Sequence, residues 1–464
     1  MGNKIKIGLA TLALVGLPFL GGCGCKETPA SKVAPLEIWG VWDDSETMEK
    51  IISQYKKENG QISKIEYRKF THDEYEDELI KAFAAGNGPD IFVAHHTWPI
   101  KHLDLMLSLE EAQSIYNKAV EGKSGCKKPP KLTESLLTEL QYREAFVNVA
   151  GTDFIKNHHI YGIPLTVDTM ALFYNEDLLA NAGIAQPPTT WDEFKKDVER
   201  LTRIDEYNNI IQAGAALGTS ENIYRAGDIL AMLMLQSGCS IVNPETLESS
   251  IDVKTQSQDT GKLIWPAMEA MNFYTSFADG SNPNYSWNSR MHHSVDAFIE
   301  GRVAMMIDYT YAIETIKNKA PQLNFKVAGI PQINEANPND KSTYANYWGY
   351  VVSRESAETA NKPLEAWRFL KFLGGVEQVS SYAELTQQPA SRKDVISKQM
   401  EQPNLGIFAQ QALIAESFFQ PDEVKIQKIF NDNIERAALG WQSNKEAVEK
   451  INTKLEVLLK EYKN

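Results

Sequence analysis

Three short runs rich in β-branched and aromatic side chains, LEIWGVW at 36–42, KIEYRKF at 64–70 and DIFVA at 90–94, alternate with two helical stretches. In the first stretch Met48, Ile51, Ile52 and Tyr55 recur at spacings of three and four. Asp43, Asp44 and Ser45 precede them, side chains able to accept the free N–H groups that open a helix. The second stretch covers 74–85, and the third strand is entered through GNGP. Strand, helix, strand, helix, strand with short links leaves few folds open, because strands running in one direction need a crossover and a helix is the common one. The chain is expected to be α/β, with a parallel sheet covered by helices. Ligands of such sheets bind beyond the carboxyl ends of the strands. That rule places Trp42, Asp43, Asp44, His96 and Trp98 near one surface.

A second α/β region opens at IYGIPLTVDTMALFYNEDLLANAG and continues through WDEFKKDVERL, a helix opened by Thr190 or Asp192. AMMID at 304–308, NFKVAGIP at 324–331 and YWGYVVS at 347–353 read as short buried strands, and almost everything after EAWRFLKFL reads as amphipathic helix. In the last of these helices Val448, Ile451, Leu455, Leu458 and Tyr462 form a stripe expected to pack on the body. A chain of 464 residues exceeds what one hydrophobic core usually serves, so two lobes are expected. The expected partition is 36–147 with 303–345 in the first lobe and 148–302 with 346–464 in the second.

The amino terminus, MGNKIKIGLATLALVGLPFLGGCGC, sets the compartment. Lys4 and Lys6 precede an apolar run of roughly 14 residues, short of the about 20 that a membrane-spanning helix needs. A basic start, a short apolar run and small residues behind it make a secretory signal, expected over 1–22. Leu20-Gly21-Gly22-Cys23 resembles a bacterial lipobox, which implies cleavage before Cys23, acylation of that cysteine and a tether over 23–35. Cys25 and Cys126 are available to pair outside the cytoplasm. With 47 basic and 61 acidic residues the net charge is −14, which disfavours general binding to nucleic acid or anionic lipid.

No phosphate-binding glycine loop, zinc-protease helix, nucleophile elbow or dinucleotide fingerprint occurs. The pairs His95-His96, His158-His159 and His292-His293 invite a metal reading. Neighbouring residues on a strand face opposite ways, however, so each pair would give a site one ligand. No cofactor is expected. Aromatic and carboxylate residues at expected strand ends carry more. Trp42, Trp98, Trp287, Tyr309, Tyr311, Tyr347 and Trp348 can stack on the C–H face of a pyranose, while Asp43, Asp44, His96 and Asp168 can pair with its hydroxyls. A buried hydroxyl left unpaired costs about 1–3 kcal/mol, so a sugar site needs both kinds of group.

At GNGPDIFVAHHTW, IYGIPLTVDTMALFYNEDLLANAGI, PPTTWDEF, FIEGRVAMMIDYTYAI and KVAGIP the chain resembles the family 1 extracellular solute-binding proteins of ABC importers, the group containing maltose-binding protein. The resemblance runs in order over nearly all of 36–400. It implies a type II-like periplasmic-binding-protein fold of two lobes, with a helix-rich C-terminal part. It also implies a monomer that binds solute in the cleft, closes over it and delivers it to a permease, without enzymatic activity. By that resemblance Asp168 takes the place of a cleft glutamate, His96 of a sugar-binding aspartate and Tyr311 of a stacking tryptophan. Val93 and Ser237-Gly238-Cys239 depart from the maltose pattern. A mono- or oligosaccharide is the expected ligand. A polyamine drawing on Asp43, Asp44, Asp168 and Asp308, a peptide-like solute and a ferric ion bound by Tyr309 and Tyr311 are the rivals within binding proteins. A surface glycosidase and a structural lipoprotein are the rivals outside them.

Overall fold

The computed structural model describes residues 35–43, 45–59, 64–121, 132–207, 209–256, 261–333, 341–359 and 361–462. Asp44, Cys23, Cys25 and Cys126, with the signal, lipidation and disulfide expectations that rest on the cysteines, lie outside them.

The first sheet runs in the order Ile65–Lys69, Leu36–Gly40, Ile91–His95, Trp348–Val352, Gly162–Pro164. Its first three strands are parallel, joined by the helices Ser45–Glu58 and His72–Ala84, as the alternating pattern requires. The other two are antiparallel to their neighbours, so the sheet is mixed and not the all-parallel one expected. The second sheet runs Phe325–Ala328, Ala171–Asn175, Val303–Asp308, Ile210–Ala215, Arg203–Ile204. Only Ile210–Ala215 and Val303–Asp308 pair in parallel there.

Each sheet has its own core. Trp39, Phe92, Phe154 and Trp367 belong to the first, and Phe173, Trp191, Tyr274 and Phe298 to the second. The helix Trp191–Leu201 shows the local logic. Thr190 caps it in a reciprocal box with Glu193, and the buried face Trp191, Phe194, Val198, Leu201 follows from the spacing. The C-terminal helices Glu423–Ala438 and Asn444–Leu459 pack on the second core through Phe430, Ile434, Val448, Ile451 and Leu455, residues spaced by three or four that share a face of each helix.

The expected partition of the chain needs correcting. Val303–Asp308 and Phe325–Ala328 stand in the second sheet, whereas Trp348–Val352 stands inside the first, as does the core packing of the helix Lys362–Leu373. The reason is physical. VAMMID and the last four residues of WGYVV are buried on both faces, so no alternation of polar and apolar residues tells one sheet from the other. Among the described residues the chain crosses between the lobes three times. The crossing strands Asp168–Thr169, Thr343–Asn346 and Ala415–Glu416 hydrogen-bond to one another as a small ribbon with Thr343–Asn346 in the middle.

Candidate ligand-binding site

A cavity of about 480 Å³ lies between the lobes, within the range of small-molecule sites. On the first-lobe side its wall is aromatic. Trp348 is half-buried, with its ring centroid 5.2 Å from that of His95 and 5.3 Å from that of Trp98, both edge-on, which fixes its orientation. Trp42, at the end of the first strand, is 58% exposed and stands 6.4 Å from Trp348 and 5.3 Å from His72. Beneath them Asp43 accepts hydrogen bonds from the hydroxyls of Tyr350 and Tyr382.

The second-lobe side is polar. Asp168 sits on a crossing strand and accepts from the Thr310 hydroxyl at 2.7 Å, the Thr310 N–H at 3.3 Å and the Thr169 N–H at 2.8 Å. Burial pushes its carboxyl up to about 7 in spite of those bonds and of Arg225. Asp308 ends the strand Val303–Asp308 and accepts from the Tyr309 N–H at 2.8 Å and the Tyr311 hydroxyl at 3.0 Å. It too is raised by burial, to about 6, against the pull of Arg225. Arg225 lies 3.6 Å from Asp308, with its guanidinium 5.1 Å from the Tyr309 ring and 5.3 Å from the Tyr311 ring. Burial lowers the affinity of Arg225 for its proton, but Asp228 and Asp308 outweigh that, and the balance is upward. Across the cleft the Glu423 carboxylate comes within 3.5 Å of His95 Nδ1. Burial holds the His95 imidazole down at about 4, so it is neutral at pH 7.

Of the residues expected from sequence, Trp42, Asp43, Asp168, Tyr309, Tyr311, Tyr347 and Trp348 line this cavity. Three do not. His96 points the other way, stacked on Tyr347 at 5.0 Å and lining a separate cavity of about 150 Å³. The period of two along a strand sends His95 into the cleft in its place. Trp98 is buried behind Trp348 and supports the wall from beneath. Trp287 has no exposed surface and donates its indole N–H to Asn222 at 2.9 Å within the second core. Sequence reasoning missed His72, His95, Arg225, Tyr382 and Glu423. Arg225 and Glu423 precede or begin helices, positions that a search confined to strand ends passes over. Val93, where the maltose pattern differs, does line the cavity, whereas Ser237-Gly238-Cys239 does not. Among the described residues no group of three or more His, Cys, Asp or Glu side chains is placed to hold a metal ion.

Asp168→Asn should raise stability. The carboxyl titrates near 7 when folded and near 4 when unfolded, so the folded state holds the extra proton between those values and stability falls as pH rises through them. Asparagine keeps the shape and one acceptor oxygen for the Thr169 and Thr310 N–H groups, turns the Thr310 hydroxyl from donor to acceptor, and removes the penalty on the charge. At about 1.4 kcal/mol per pKa unit, discounted for partial exposure, the gain is about 1–2 kcal/mol above pH 7 and nil below pH 4. The melting temperature at pH 8 should rise by about 1–2 °C; an unchanged value would mean that the carboxylate is not under strain.

Two discontinuous α/β lobes, three crossings and a cleft floored by the crossing strands define a binding protein of the two-lobed receptor class. Residues 40–379 match the family model for bacterial extracellular solute-binding proteins, and the chain belongs to that family. A putative binding protein of Brucella abortus is 28% identical over 238 residues, 50% of this chain and 51% of that protein. The chain thus spans about half the length of that relative. The maltodextrin-binding protein of Bacillus subtilis is 25% identical over 86% of this chain and 84% of its own length. Among solved structures, the cyclic α-maltosyl-1,6-maltose binding protein of Arthrobacter globiformis has the same fold, with a TM-score of 0.68 at 16% identity over 92% of this chain and 99% of that one.

Proposed function

We propose that the protein is an extracytoplasmic receptor for a mono- or oligosaccharide, which it binds by closing its lobes and passes to an ABC permease, catalysing no reaction itself. One observation carries the reading: a cavity large enough for a sugar has an aromatic wall, Trp42 and Trp348, opposite hydrogen-bonding groups on Asp168 and Arg225. That division matches the apolar face and polar rim of a pyranose. Relatives that bind maltodextrin and a cyclic maltosyl sugar support it. A ferric reading is weaker, because the Tyr309 hydroxyl is already committed to Asp228 at 3.1 Å and the Tyr311 hydroxyl to Asp308. Ligand would select the closed member of a population that already exists.

A thermal-shift screen of mono- and oligosaccharides tests the reading. A true ligand at about 100 times its Kd adds about 2.7 kcal/mol and should raise the melting temperature by several degrees. Silence across all sugars would sink the proposal. Membrane attachment rests on Cys23, and among the described residues no helix is long and apolar enough to cross a membrane. Fatty-acid labelling in a bacterial host should mark the wild-type chain and not Cys23→Ser; equal labelling would place the anchor elsewhere.

A further inference from the structure

The cleft is charged out of proportion to what a neutral sugar needs. Asp43, Asp168 and Glu423 line it, with Asp308 and Asp228 immediately behind, and among the described lining residues there is no lysine and one arginine. That arginine is already matched, since Arg225 lies against Asp308 and is held protonated by Asp228 as well. Among the described residues neither Asp168 nor Glu423 has a lysine or arginine within ion-pair distance. Asp168 is served by hydroxyl and amide donors alone, and Glu423 faces His95. The surplus negative charge is therefore inside the cleft, in a site partly screened from water where a like charge on the ligand would be repelled and an opposite one attracted. The aromatic side adds in the same direction, because the faces of Trp42 and Trp348 attract cations as well as C–H groups.

Resting on the carbohydrate reading above, we propose that the ligand is an amino sugar carrying a free, protonated amine, with the ring against Trp42 or Trp348 and the ammonium directed to the Asp168 and Glu423 carboxylates. A uronic acid would meet three lining carboxyl groups, with two more behind them, for one compensated guanidinium, and a neutral sugar would leave the surplus charge unpaired. The proton that Asp168 retains near neutrality takes the role of the missing cation in the empty cleft. An ammonium ion would displace it, so binding should release a proton and strengthen as Asp168 ionises. The groups facing Asp168 that bear on this titration are Thr310, Arg225, Asp308, Tyr309 and Tyr311, with Glu423, Asp228, Asp43, His95 and His72 around the same cavity.

Calorimetric titration of the full chain with matched sets decides the matter: glucosamine, N-acetylglucosamine, glucose and glucuronate; galactosamine, N-acetylgalactosamine and galactose; chitobiose, its diacetyl form and cellobiose; and spermidine. The free-amine member of at least one set is expected to bind ten-fold or more tighter than its acetylated and hydroxyl counterparts. That preference should grow between pH 5.5 and 7.5, and Asp168→Asn or Glu423→Gln should cut it to under three-fold while the folded state persists. A neutral or acetylated sugar binding as tightly as its amine would overturn the inference and leave the carbohydrate reading standing. Binding of spermidine with no response to any sugar would overturn both, and so would no binding at all.

Discussion

Trp348→Ala is expected to weaken sugar binding by about 30- to 1000-fold, the loss of about 2–4 kcal/mol typical of a central aromatic contact. Its ring is oriented from behind by Trp98 and His95 and from the side by Trp42. It therefore meets ligand in one pose without ordering cost at the moment of binding, which is what makes such a residue decisive. Calorimetry with whichever sugar the screen identifies would measure it. Because Trp348 is only half-buried, the chain should still fold, with a stability loss small beside the affinity loss. An affinity within three-fold of wild type would remove Trp348 from the site and leave the cleft without its main apolar surface.

Trp287→Ala should do the reverse. The side chain is fully enclosed, and truncating a buried tryptophan costs about 3–5 kcal/mol through lost contacts and the cavity left behind. A polar cost adds to that. The Asn222 side-chain oxygen Oδ1, which accepts the indole N–H at 2.9 Å and the Thr219 hydroxyl at 2.5 Å, would lose one donor in a place water does not reach. A fall of about 3–6 °C in melting temperature is expected for a chain of this size, with the affinity of the remaining folded protein unchanged within two-fold. Lost affinity at preserved stability would return Trp287 to the ligand.

The contrast between the two tryptophans shows where the sequence was legible. Both were candidates for stacking, and composition does not separate them. Trp348 opens a strand that runs antiparallel to Ile91–His95, so its amino end lies beside the carboxyl end at His95, and a search of strand ends reached it. Trp287 sits in the irregular stretch after the helix Pro266–Ser276, where no periodicity says which way a side chain faces. The elements themselves were recoverable, since apolar spacing marks the helices at 45–58 and 191–201 and β-branched runs mark the strands near 36, 65 and 91. Which sheet a doubly buried strand joins was not recoverable, because Val303–Asp308 and Trp348–Val352 carry no exposed face to betray their neighbours. The cleft was half readable. His96 was preferred to His95 by a single position, and on a strand one position is the difference between two faces. Glu423 lies more than three hundred residues from His95 along the chain. Only the folded topology brings them to 3.5 Å.

That interleaving also governs when the molecule can exist at all. The strand Trp348–Val352 lies between Ile91–His95 and Gly162–Pro164, and the second core takes residues from helices that end at Leu459. Neither core can close during synthesis of the first three hundred residues, and the second waits for almost the last. Such long-range pairing makes folding slow. Here the order in which the lobes share the sequence builds that delay in.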